Sequence, residues 1–144
     1  MKIAFIYSSR KLSGKLTKLF TGSYCYHVGF VDEDTDTFYD MHLIRRKRIW
    51  SSYSHGKDVV LIESPVFIHT DYLEDKLKTD TSTYGWIDYL LFGLRPLFHL
   101  FGQSTRNAGG IICSEMVYND LFENGWSKFF PEVPSPADLE RALM

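Results

Sequence analysis

Apolar positions along the chain change period midway, giving a strand-rich first half and a helix-rich second half. Ile3-Ala4-Phe5-Ile6-Tyr7 is a continuous apolar run that reads as a buried strand ending at Ser8-Ser9. Leu12, Leu16, Leu19 and Phe20 then fall at helical spacing with three lysines between them, which predicts a short amphipathic helix over 13–20. Tyr24 to Val31 and Thr37 to His42 are strand-like runs joined by an acidic turn, so together they predict a hairpin. Four cations follow, Arg45-Arg46-Lys47-Arg48, most simply a solvated edge whose charges guard against aggregation, with binding of phosphate or an acidic polymer as the other reading. Ser51 to Lys57 reads as a loop, and Asp58 to Glu63 as a second buried strand stopping before Pro65.

From His69 onward the pattern is helical. Tyr72, Leu73, Lys76 and Leu77 share one face of a helix running to about Thr79. Thr83 is positioned to cap a further helix carrying Trp86, Ile87, Tyr89, Leu90 and Leu91, apolar on nearly all sides, and Gly93 and Pro96 divide it from Leu97 to Phe101. That segment is expected to pack against a later helix, or to wall an acyl-binding groove. At the end, Ser135-Pro136-Ala137-Asp138 has the serine cap, the first-turn proline and the returning carboxylate of a capped helix start.

Between these lies Ile111-Ile112-Cys113-Ser114-Glu115-Met116-Val117, where a strand-like run gives way to an amphipathic helix at a cysteine. Free N–H groups and a partial positive charge at a helix start favour thiolate over thiol. Asn107 to Gly110 just before it suit a tight approach to a substrate. Met116, Val117, Leu121 and Phe122 are expected to face the core, with Glu115, Asn119 and Glu123 outward. In the hairpin, alternation puts His27, Gly29 and Val31 on one face, and Phe38, Asp40 and His42 on one face of the partner strand. A histidine on one strand can then be held by a carboxylate on the next, which is how a base for a nucleophile is oriented.

Composition sets limits on these readings. At 144 residues, 44% apolar and 16% aromatic, the chain reads as one domain over 1–144 with ample material for a core. A net charge of −2 offers no bulk attraction to nucleic acid, and no nucleic-acid partner is expected. The opening apolar run is too short for a signal peptide, and the stretch from Trp86 to Phe101 is too interrupted to span a bilayer. A cytoplasmic location without membrane insertion is the expectation, with a virion or host-lysis role open. Two cysteines make no disulfide framework or zinc motif.

Four segments, in order, resemble the circularly permuted papain-like proteins of the NlpC-type superfamily, nearest to the YaeF/YiiX-like branch. Tyr26-His27-Val28-Gly29-Phe30 is similar to the "SHVGI" strand, and Cys113-Ser114-Glu115-Met116-Val117 to the "CSELV" helix start. Tyr84 to Asp88 is similar to the "YDW" segment, and Ser135 to Leu139 to the closing "SPGDL" helix. The resemblance implies an α+β fold in which an antiparallel sheet or partial barrel packs against the cysteine helix. It further implies Cys113 as nucleophile, His27 as general base and Asp40 as the polar third residue, with no cofactor. Two positions depart from the pattern: Tyr26 stands where serine is usual, and Asp40 where glutamate or histidine is frequent, leaving His42 as an alternate third residue.

The resulting expectation is a cysteine hydrolase cleaving an amide bond of a peptide-like or acylated substrate through an acyl-enzyme. Alternatives are ester or thioester acyl transfer on lipid-like substrates, and an inactive binding module on the same fold. Cys25 is disfavoured as nucleophile, because residues two apart on a strand share a face but sit roughly 6.5 Å apart. A metal site from His27, Asp40, His42 and His55 has suitable donors without a paired helical spacing. No Gly-x-Ser-x-Gly turn is present for a serine nucleophile.

Overall fold

β1 (Lys2–Tyr7) is buried along Ile3, Ala4, Phe5 and Ile6, as a strand with apolar side chains on both faces must be. Around it a computed structural model, which describes residues 1–7, 24–83, 94, 100–101 and 111–144, arranges an open antiparallel sheet. The strands are β2 (Cys25–Asp32), β3 (Thr37–Met41), β4 (Arg45–Ile49) and β5 (Asp58–Glu63), in the order β4-β3-β2-β1-β5. Among the described residues the sheet ends at β4 and β5 without closing, so it is not a partial barrel. β5 lies at an edge and is half exposed, unlike the buried strand its composition suggests. The helix expected over 13–20, the one carrying Trp86 to Leu91 and the approach Asn107 to Gly110 fall outside the described residues. Of the segment from Trp86 to Phe101, Leu94, Leu100 and Phe101 are described, and all three are exposed.

The sheet has two apolar faces. Phe5, Val28, Phe30, Tyr39 and Met41 meet the helices on one side, while Ala4, Ile6, Val31 and Phe38 form a smaller cluster on the other. On the helical side lie α2 (Thr70–Thr79), α3 (Cys113–Glu123) and α4 (Pro136–Leu143), with α3 against β2 and β3, and α4 against β2 and α3. The second side is covered by a short helix, α1 (Trp50–Ser54), within the stretch that reads as a loop. Asp36, in a left-handed turn conformation, accepts both the backbone N–H and the hydroxyl of Ser51, at 2.8 and 2.6 Å. Trp50 and Tyr53, one turn apart, pack on the smaller cluster. α4 starts with a complete capping box between Ser135 and Asp138. Among the described residues no helix is long and apolar enough to cross a membrane.

Pairing of β1 with β2 slips by one residue between Ile6 and Tyr7: Ile6 faces His27, Tyr7 faces Cys25, and Tyr26 is extra. This bulge changes the phase of the strand. Cys25 therefore packs in the helical-side core, whereas Tyr26 and His27 lie together on the other side with their rings stacked. Simple alternation would have put Cys25 and His27 on one face. Gly29, opposite Asp40, is required by crowding, since a Cβ there would come within 2.5 Å of the Tyr39 carbonyl oxygen and 2.7 Å of the Phe38 ring.

The cation run is an edge strand, as expected, but Arg45 is buried and all four cations are paired with acidic side chains. Alternation splits it two and two. Arg45 forks onto Asp120 of α3 at 2.6 and 3.1 Å and reaches Asp80 through Nε at 3.0 Å, while Lys47 bonds Glu74 of α2 at 2.8 Å. Arg46 and Arg48 point to the opposite face, onto Asp40. In α3 the outward set also differs from expectation: Glu115 is buried, Phe122 is 56% exposed, and a second acidic residue, Asp120, is fully buried. Burial pushes the Asp120 carboxyl up in spite of Arg45 and Tyr72, whereas Asp120 and Asp80 outweigh burial to hold Arg45 above its ordinary value. The bidentate fork is the geometry of an ionised carboxylate. Arg45→Met would leave that carboxylate buried without its cation, so urea unfolding should show a loss of about 3–5 kcal/mol, and the double variant Arg45→Met with Asp120→Leu should recover most of it. An unchanged urea midpoint in the single variant would show that the clamp contributes nothing.

Candidate functional site

β3 pairs with β2 only from Gly29 to Asp32, so the first half of β2 has no β3 neighbour there. The start of α3 approaches at that opening. Cys113 is its first residue, after Ile112 in extended conformation, as the change of period at this cysteine predicts. Its side chain is buried in the cluster that also holds Cys25, Val28 and Met116, and its sulfur lies near enough to the His27 imidazole to favour the protonated ring.

On the far side of the ring, His27 Nε2 and Asp40 Oδ2 are 2.8 Å apart. With Nε2 taken, Nδ1 is the nitrogen left to serve the thiol. Tyr26, Phe38 and Tyr53 surround the imidazole, with centroid separations of 6.3, 6.1 and 6.5 Å. The ring is thus fixed by aromatic contact on its faces and edges and by a carboxylate at one nitrogen. His42, the alternate third residue, is exposed, and Asp40 occupies the position against the ring. His55 is an exposed residue after α1. Among the described residues no three histidine, cysteine or acidic side chains are grouped to hold a metal.

Asp40 is fully buried and carries more than its histidine. Arg46 Nε donates to Oδ1 at 3.2 Å, Arg48 Nε donates to the same oxygen at 3.3 Å, and an outer nitrogen of Arg48 donates to Oδ2. The Arg48 guanidinium also lies 4.2 Å from the Tyr53 ring centroid. Burial opposes ionisation of Asp40, but the hydrogen bonds and charges of His27 and Arg48 outweigh it and hold the carboxyl below its ordinary value. Burial likewise opposes protonation of His27, yet the Cys113 charge and the Asp40 hydrogen bond raise it to about 9. Cys25 is the opposite case: burial, with the Cys113 charge, pushes its thiol up to about 12, and it donates weakly to the His27 carbonyl at 3.6 Å.

Arg46, Arg48 and Tyr53 are members that the sequence did not assign to this site, although the two arginines stand out in it as part of the cation run. Period-two alternation, continued from Asp40 across the short turn into β4, would have put both arginines beside that carboxylate. A cavity of about 300 Å³ beside α3, lined among others by Arg45, Asp80, Asn119 and Asp120, contains none of Cys113, His27 and Asp40. Comparison with protein families, with curated proteins and with solved structures gives no match.

Because the folded pKa of His27 lies above its ordinary value of 6.5, its protonation stabilises the fold fully below about 6.5, and that contribution is lost as pH rises through about 9. NMR of the His27 ring should show titration near 9, and Asp40→Asn should bring it down toward 6.5. Titration of the wild-type ring at or below 6.5 would mean that the carboxylate and sulfur do not act on it.

Proposed function

We propose that the chain is a cysteine hydrolase cleaving an amide bond, whether peptide, isopeptide or N-acyl, with Cys113 as nucleophile, His27 as general base and Asp40 as the orienting carboxylate. The observation that carries this reading is one imidazole held between a buried carboxylate and a thiol at the start of a helix. We read the fold accordingly as permuted papain-like, with the histidine strand preceding the cysteine helix and the open sheet packed against that helix.

In this mechanism the Cys113 proton is held on Nδ1 of His27 as a thiolate–imidazolium pair, and the thiolate attacks the acyl carbonyl carbon. Asp40 holds Nε2, so the imidazole keeps one orientation through the transfer. The Cys113 backbone N–H, in the first turn and outside the helical ladder, donates to the oxyanion of the tetrahedral intermediate, a contribution of about 2.7–4 kcal/mol. His27 returns its proton to the departing amine. Water, deprotonated by His27, then attacks the thioester and releases acid and thiol.

Iodoacetamide should label Cys113 far faster than Cys25 in the folded protein at pH 7, since a thiol near 12 is ionised in roughly one molecule in 10⁵. Amide-linked peptide probes should acylate Cys113, Cys113→Ser should abolish this, and Asp40→Asn should lower kcat by on the order of 10²-fold or more. Long-chain esters and thioesters run beside them separate peptide from lipid chemistry. A protein whose Cys113 alkylates readily but accepts an acyl group from no probe is a binding module.

A further inference from the structure

The charge around Asp40 does not balance. One carboxylate receives His27, Arg46 and Arg48, and the two guanidiniums alone leave an excess of one positive charge over Asp40. Arg46 spends only its inner nitrogen, Nε, on Asp40; its two outer nitrogens have no partner among the described residues, and its side chain is 37% exposed. Arg48 is 25% exposed and is held in place over Tyr53. His42 reports the same field. Burial, followed by the charges of Arg46 and Arg48, disfavours its protonation.

We propose that Arg46 and Arg48 form an oxyanion-binding subsite that selects substrates carrying a carboxylate or phosphate near the bond to be cleaved. The proposal rests on the cysteine-hydrolase reading of Cys113 and His27. A guanidinium with its outer nitrogens available presents a planar fork suited to either group. The spacing follows from the chain of contacts. From the thiol through the imidazole, Asp40 and the guanidinium to a bound anion, four polar contacts of ~3 Å and three side-chain groups each ~2 Å across set an upper limit on the order of 18 Å between sulfur and anion. In an extended peptide that limit spans about five residues at ~3.3 Å each, so the anionic group lies within about five residues of the scissile amide. The four-cation run thus has two functions: its first and third members tie β4 to the helices, and its second and fourth hold Asp40 and read the substrate.

Two measurements on the whole chain test this. Amide substrates matched in size and bearing a neutral, a carboxylate or a phosphate group within that distance should differ in kcat/KM, with at least one anionic form preferred about tenfold over the neutral one at low salt. The better of the two anions names the group. Arg46→Gln should lower the anionic-to-neutral ratio toward one, a readout that cancels any loss common to all substrates through Asp40, and Arg46→Lys should restore part of it. Equal kcat/KM for all three substrates in the wild type would overturn the subsite. Independently of turnover, titration with inorganic phosphate or glutarate should shift the Arg46 and Arg48 Nε–Hε NMR signals saturably, and Arg46→Gln should weaken the response of Arg48. If no substrate is turned over, the hydrolase reading falls, and this titration alone decides the subsite: saturable shifts keep it as an anion site, and unmoved signals remove it.

Discussion

A carboxylate removed wholly from water must be met by positive charge and hydrogen-bond donors, and Asp40 is that carboxylate here. Left alone it would cost several kcal/mol or take up a proton. His27 and two arginines from the neighbouring strand keep it ionised, and this requirement ties β2, β3 and β4 together in one register. The glycine opposite Asp40 belongs to the same constraint, because a side chain there would strike Phe38 and the Tyr39 carbonyl. The fixed imidazole and the inward aim of Arg46 and Arg48 both follow from satisfying this group.

The helical face is tied by a second buried carboxylate. Asp120 draws Arg45 from β4 and Tyr72 from α2 onto the helix that begins at Cys113. Because α3 is clamped to β4 by the same strand whose other face grips Asp40, the thiol and the imidazole are held to one frame although they come from opposite halves of the chain. A short strand of five residues thereby links both halves of the proposed catalytic group.

What was legible in the sequence depended on how local the deciding interaction is. The His27 and Asp40 contact could be read because a hairpin with a short turn obeys period-two alternation. The start of α3 at Cys113 and the cap at Ser135 were legible for the same reason, each being set within one turn of helix. The partners of Arg45 to Arg48 were not, since a block of like charges resembles a solvated face until the strand is paired and its members separate to opposite sides. α1 was hidden because its start is held by Asp36, far upstream, and its aromatic residues pack on a cluster built by other strands. The bulge at Tyr26 has no glycine or proline to mark it.

That bulge has an architectural effect beyond the sheet. A strand is a two-phase object, like a striped ribbon, and one inserted residue exchanges the stripes for everything beyond it. Cys25 and His27 are close in sequence, yet the insertion turns them to opposite faces, the sulfur into the helical-side core and the ring among aromatic side chains beside Asp40. The same insertion lets Tyr26 and His27 face the same way and stack. The chain thereby keeps a second thiol within a few residues of its imidazole without letting the two compete, and the separation is written in the count of residues along the strand.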